Sequence, residues 1–172
     1  MNDETRCQEY TALKGSRSNL DTQFQTLHDQ YDLEAENINK TYSEGEEFDF
    51  SYLYDTLPLS VADTLPSGIM NYLTPFGSQW MNLKHRKPEL NRKTEVGRWY
   101  KETQDEIFYI LSKSNFYDQA FTFYKASGVY GTANMFGEED LDDVVRFYDM
   151  PVKQCYIVND SRGPGERILY YV

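Results

Sequence analysis

Hydrophobic residues first fall into a sustained pattern at Leu20, Phe24, Leu27, Tyr31, Ala35, Ile38 and Tyr42. Steps of three and four place them on one stripe and predict a long helix over 19–42. Ser18 would be its N-cap, with Asp21 in the first turn, and the acidic stretch 43–49 would form the loop that ends it. A second apolar run over 57–73 predicts another helix, with Pro58 in its first turn. Pro66 lacks the N–H that a helix interior needs and is expected to kink or split it. Thr74-Pro75-Phe76-Gly77 reads as a turn, and 79–83 as a short strand carrying Trp80.

Over 91–115, Val96, Trp99, Thr103, Ile107, Ile110, Leu111 and Ser114 share one face, while Arg98, Lys101, Glu102, Asp105 and Glu106 lie off it. A further helix is predicted over 116–127, with Phe116, Ala120, Phe123 and Tyr124 inward, ending at Gly128. Beyond it the period shortens to two, predicting strands at 132–136, 144–148, 156–159 and 167–172. The turn residues 160–165 would join the last two as a hairpin. The expected fold class is α+β: helices over about 1–128, then a small, mainly antiparallel sheet over about 129–172, forming one region. The last strand is still apolar at Tyr170-Tyr171-Val172, which reads as a segment of a longer protein.

Composition narrows the functions open to such a chain. Of 172 residues 40% are hydrophobic and 16% aromatic, enough for a core and for large interfaces. The net charge of −11 argues against a tight grip on DNA, since phosphates need a cationic footprint. Cys7 and Cys155 show no paired spacing, the start is acidic and polar, and no apolar run nears the roughly 20 residues of a membrane span. A soluble protein made in a reducing compartment is expected, with no membrane partner.

Candidate chemistry is sparse. His28 and His85 have no neighbour at ligand spacing, so each is expected to be solvated, with no metal or cofactor site. The stretch 137–145 holds Glu138, Glu139, Asp140, Asp142 and Asp143; it is not a calcium loop, because Asp142 stands where the glycine belongs. A solvated turn is the favoured reading, and a carboxylate hydrolase using Glu138, Glu139 or Asp142 the alternative. Five cations, Lys84, Arg86, Lys87, Arg92 and Lys93, gather near Trp80, either as a solvated loop or as a phosphate contact. No nucleophile elbow or nucleotide-binding glycine motif is present, and no catalytic residue is assigned.

Four segments in order nonetheless resemble the head-to-tail connecting (portal) proteins of short-tailed bacteriophages. They are LYDTLPLSVADTLPSGIMNYLTPFGSQWMNLK, the Trp-bearing VGRWYKETQDEIFYILSKSNFY, YKASGVYGTANMFGEED with Gly131-Thr132-Ala133 and Glu138-Glu139, and the final VRFYDMPVKQCYIVNDSRGPGERILYYV. The resemblance covers about 17–172; Pro66 and Asn82 depart from it. It implies a structural virion protein: the outer wing of a subunit in the ring at the capsid vertex, through which the genome is packaged and ejected. Its implied partners are other portal subunits, the major capsid protein, terminase, tail adaptor proteins and double-stranded DNA passing without tight binding. It implies a place in the virion after synthesis in the host bacterial cytoplasm, and no enzymatic activity. A remnant of such a protein in a degraded prophage is a further alternative.

Overall fold

In the computed structural model the first helix, α1, spans Asp3–Tyr31. The structure describes residues 3–35, 37–39, 45, 53, 55–160 and 163–170. The predicted helix is thus displaced toward the N-terminus: Ser18 lies inside it, and 32–35 are non-helical. Tertiary bonds explain its end, because the buried Asp32 carboxylate is held by Lys125 and Tyr130 and the His28 Nε2–H donates to the Ala35 carbonyl at 3.1 Å. Most of the expected acidic loop at 43–49 lies outside the described residues.

Helix α2 spans Leu57–Leu73 and is not split by Pro66, whose ring is fully buried. A short α3, Pro88–Asn91, precedes α4, Thr94–Lys113, and α5, Phe116–Tyr130. Strands β1, Asn134–Asp140, and β2, Val144–Met150, form one two-stranded sheet. After a 3-10 turn at Val152–Gln154, β3, Cys155–Asp160, pairs antiparallel with β4, Gly163–Tyr170. Cys155 faces Tyr170 and Ile157 faces Ile168, with an irregularity between Val158 and Asp160. The α+β class holds, with two separate hairpins in place of one sheet.

The segment 79–83 forms no strand. Side chains replace the ladder: the Leu83 N–H donates to Gln104 Oε1 at 3.0 Å, and Gln104 Nε2 donates to Gln79 Oε1 at 2.9 Å. Helix α5 continues through Gly128, where an added Cβ would lie 2.7 Å from Leu65 Cδ2; glycine there admits Leu65. The helix stops instead at Gly131, whose φ is +72°, with open space around the position of a Cβ. Backbone conformation alone therefore demands glycine, and Gly131→Val is expected to destabilise the fold by about 1–3 kcal/mol. The exposed Glu139→Gln should change stability by no more than about 0.5 kcal/mol and remove no hydrolytic activity. Urea denaturation of both variants, with a hydrolase assay on the second, checks the pair.

The chain divides into two compact units. The first comprises Met1–Leu65, Lys125–Asn134 and Met150–Val172; the second comprises Pro66–Tyr124 and Met135–Asp149. The first is centred on Phe24, Ile38, Tyr130 and Val152, packed by Leu27, Ala126 and Val129. The second is centred on aromatic rings: Trp80 stacks on Phe116 with centroids 6.2 Å apart and meets Phe108 edge-on at 5.6 Å. Phe116 also meets Phe147 at 5.2 Å.

Candidate functional site

In the first unit, chemistry-bearing side chains are engaged in holding the fold. Arg17 is largely buried on α1 and spends its guanidinium on backbone: Nη1 donates to the carbonyls of Val152 and Cys155, and Nη2 to that of Lys153 at 3.0 Å. Its Nε donates to Asp21 at 2.7 Å, and its plane lies 4.1 Å from the Tyr156 ring centre. Of these carbonyls that of Val152 also accepts the Cys155 N–H within the 3-10 turn, and Arg17 adds donors at the point where the turn ends. Lys125 on α5 is likewise buried, with Nζ 2.8 Å from Asp63, 3.2 Å from Asp32 and 3.6 Å from Glu34. Burial pushes its pKa down, but the hydrogen bond it donates to Asp63 and the charge of Asp32 outweigh this and leave it raised. His28 is buried and hydrogen-bonded, contrary to the solvated expectation, and the half-buried His85 accepts the Lys87 N–H at 2.9 Å through Nδ1.

A groove of about 440 Å³ beside Arg17 is mainly apolar, bordered by Leu13, Leu20, Phe24, Val152 and Ile157. Its one thiol, Cys155, is buried, and burial raises its pKa while Arg17 and Asn134 pull it down. A raised pKa keeps the sulfur protonated, which is unsuited to a nucleophile.

These groups set the response to alkali. Burial, and then the charge and hydrogen bond of Asp32, push the Tyr130 hydroxyl well above its ordinary 10.0. Burial, then a hydrogen bond with Tyr10, pushes Tyr156 up to about 12, against the lowering charge of Arg17. A pKa raised in the folded state gives stability that is whole below the unfolded value and lost as pH rises toward the folded one. The folding free energy should therefore hold to about pH 9 and fall above pH 10, approaching roughly 1.4 kcal/mol per pH unit for each such group. Urea midpoints across that range check it; a flat profile to pH 11 would contradict it.

The second unit carries its acidic cluster outward. Glu138, Glu139, Asp142 and Asp143 are exposed around the β1–β2 turn. Asp140 accepts the N–H groups of Asp142 at 2.8 Å and Asp143 at 3.0 Å, which fixes the turn. Those bonds, that from Asp143 foremost, hold its carboxyl below the usual range, the opposite of what a catalytic acid requires. Glu138 engages the Tyr148 hydroxyl and raises its pKa. The far edge of β2 is closed by amide side chains: Asn115 exchanges two bonds with Phe147 at 2.7 and 2.8 Å, and Gln119 accepts the Asp149 N–H at 2.6 Å. An edge satisfied in this way resists unplanned strand pairing.

The five cations of 84–93 are all exposed. Their loop is closed by Asn91, whose Oδ1 accepts the His85 N–H at 2.7 Å and whose Nδ2 donates to the His85 carbonyl at 2.9 Å. A polar groove of about 370 Å³ beside it is lined by Asn82, Lys84, Asn91, Tyr100 and Lys101 among others. Neither groove includes Glu138, Glu139 or Asp142. Among the described residues no three His, Cys, Asp or Glu are placed to share a metal ion, and no helix is long and apolar enough to cross a membrane.

Apolar exposure is the other outward feature. In the first unit α2 exposes Leu57, Val61 and Leu65. In the second, Tyr72 is 88% and Phe76 69% exposed, whereas Trp80 belongs to the aromatic core. Trp99, predicted inward, is 58% exposed, because the inward stripe of α4 runs one residue further through Tyr100, Gln104 and Phe108. Among the described residues the buried apolar set is small, Pro66 and nine others, which leaves much of an aromatic-rich sequence available to partners. Such a surface is suited to association.

Known proteins place this surface in context. A 99-residue stretch, 58% of the chain, is 30% identical to the portal protein of Salmonella phage epsilon15. The aligned stretch covers 18% of that relative's length. The sequence profile described as bacteriophage head to tail connecting protein matches residues 4–171, and so the chain belongs to the bacteriophage head to tail connecting protein family.

Proposed function

We propose that this chain is the wing portion of a portal subunit, a structural component of the ring at the capsid vertex, and that it performs no covalent chemistry. The observation that carries the reading is the family match over residues 4–171. The exposed apolar residues of α2 and of the turn after it support it, since a subunit in a ring buries such surface against neighbours. The partners would be other portal subunits, the major capsid protein, terminase and tail adaptor proteins. Double-stranded DNA would pass the acidic subunit without a lasting grip, because a net charge of −11 opposes phosphate.

Interrupting the reading frame in the phage that encodes the chain tests the proposal. Capsid protein should still be made, but the heads should hold no DNA, and supplying the chain in trans should restore filled particles. Filled, infectious particles formed without it would refute the reading.

A further inference from the structure

The cationic loop 84–93 has no ion-pair partner among the described residues of its own chain, although the chain is strongly acidic. Its shape is set before any partner arrives. The two Asn91–His85 bonds, the Lys87 N–H to His85 Nδ1 bond and the turn of α3 fix the backbone, and Arg86, Lys87, Arg92 and Lys93 remain exposed. A backbone already fixed adds no loop-ordering cost on binding, so less of the cations' attraction is lost to entropy. Glu89 is the sole carboxylate within 84–93.

A complementary surface of similar charge lies on the same unit. The β1–β2 turn is fixed by Asp140, and Glu138, Glu139, Asp142 and Asp143 stand exposed around it. Arg146 reaches Asp140 at 4.0 Å, and among the described residues none of those four carboxylates has a cation within 4.0 Å. No ion pair joins loop to turn within the described chain.

We infer that the basic loop of one copy docks on the acidic β1–β2 turn of the next. This rests on the ring reading above and names the residues of one contact in it. Two different patches on one protomer make the contact heterologous, the type that repeats head to tail and closes a ring when the rotation allows. Exposed charge pairs add little affinity singly but set register and partner choice, which every repeat of a ring requires. Duplex DNA is the lesser fit: at most five phosphates would be met, against the repulsion of the whole chain.

Cysteine trapping tests the contact. In a Cys7→Ser background, Lys87→Cys and Asp142→Cys are placed in one chain and oxidised at about 0.1 M ionic strength, where the screening length is about 10 Å. A disulfide ladder of dimers, trimers and longer species is expected. It should vanish at about 1 M salt, where that length is about 3 Å. Reversing the loop (Arg86→Glu, Arg92→Glu, Lys93→Glu) should abolish the ladder. Reversing the turn (Glu139→Lys, Asp143→Lys) should do the same, and combining both reversals should restore it, which also shows that the variants fold.

No ladder with the native charges, a ladder indifferent to either reversal, or no restoration in the combined variant would overturn the inference. So would submicromolar binding of a labelled duplex, at about 0.15 M salt, that the loop reversal removes; the loop would then be a nucleic-acid contact. A missing ladder alongside empty heads in the interrupted phage removes this contact alone. An intact ladder with filled heads removes the ring reading alone.

Discussion

Arg17→Ala is expected to cost about 3–5 kcal/mol of folding free energy, a large share of what a domain of this size possesses. The substitution removes the guanidinium donors of the Val152, Lys153 and Cys155 carbonyls at a largely buried site, where the Val152 carbonyl keeps a backbone donor, the Cys155 N–H. Each unsatisfied acceptor costs roughly 1–3 kcal/mol before local relaxation or water entry reduces it. The face-on contact with Tyr156 is lost too, worth about 0.5–2 kcal/mol. Arg17→Lys should recover less than half of the loss, because an ammonium group cannot reproduce the planar fork that reaches three carbonyls. Urea denaturation followed by far-ultraviolet circular dichroism measures both. Loss of under about 1 kcal/mol for the alanine variant would mean that water serves the turn as well as Arg17 does.

The second large effect is expected at Lys125. Lys125→Met should cost about 3–5 kcal/mol, since it strands the buried Asp32 carboxylate and leaves Asp63 without its cation. Combining it with Asp32→Asn should cost less than the sum of the two single changes, with a coupling of roughly 1–3 kcal/mol. Strictly additive changes would show that Lys125 acts through packing of its stem alone.

Both residues also mark where sequence reading stops. Local rules placed α2 over 57–73, the start of α5 at Phe116, the start of β2 at Val144 and the final hairpin, because spacing, proline and glycine act over a few residues. Arg17 meets partners 135–138 residues away and Tyr130 meets Asp32 across 98, and no periodicity carries such information. The same long-range bonds ended α1 at Tyr31 where the apolar stripe ran on to Tyr42. At 79–83 the alternation resembled a strand, yet glutamine side chains supplied the hydrogen bonds. His28 looked solvated only because its acceptor, the Ala35 carbonyl, comes into reach after the helix has ended.

The outward features were more legible than the packed ones. Glu138, Glu139, Asp142 and Asp143 of the acidic run and the five cations of 84–93 are contiguous in sequence and proved exposed. The order of four motifs indicated the family that the profile match then showed over 4–171. Which aromatic residues face outward was not legible, since Trp80 and Tyr72 belong to similar patterns. Only the fold sends one into a ring cluster and the other to the surface.

The central claim is that this chain belongs to the portal vertex of a phage particle. Gold-labelled antibody raised against residues 94–130, applied to gently opened purified virions and viewed by electron microscopy, tests it most directly. The account predicts label at one vertex of each particle, the one that carries the tail. Label spread over the capsid shell, or found in infected cells and absent from particles, would contradict it.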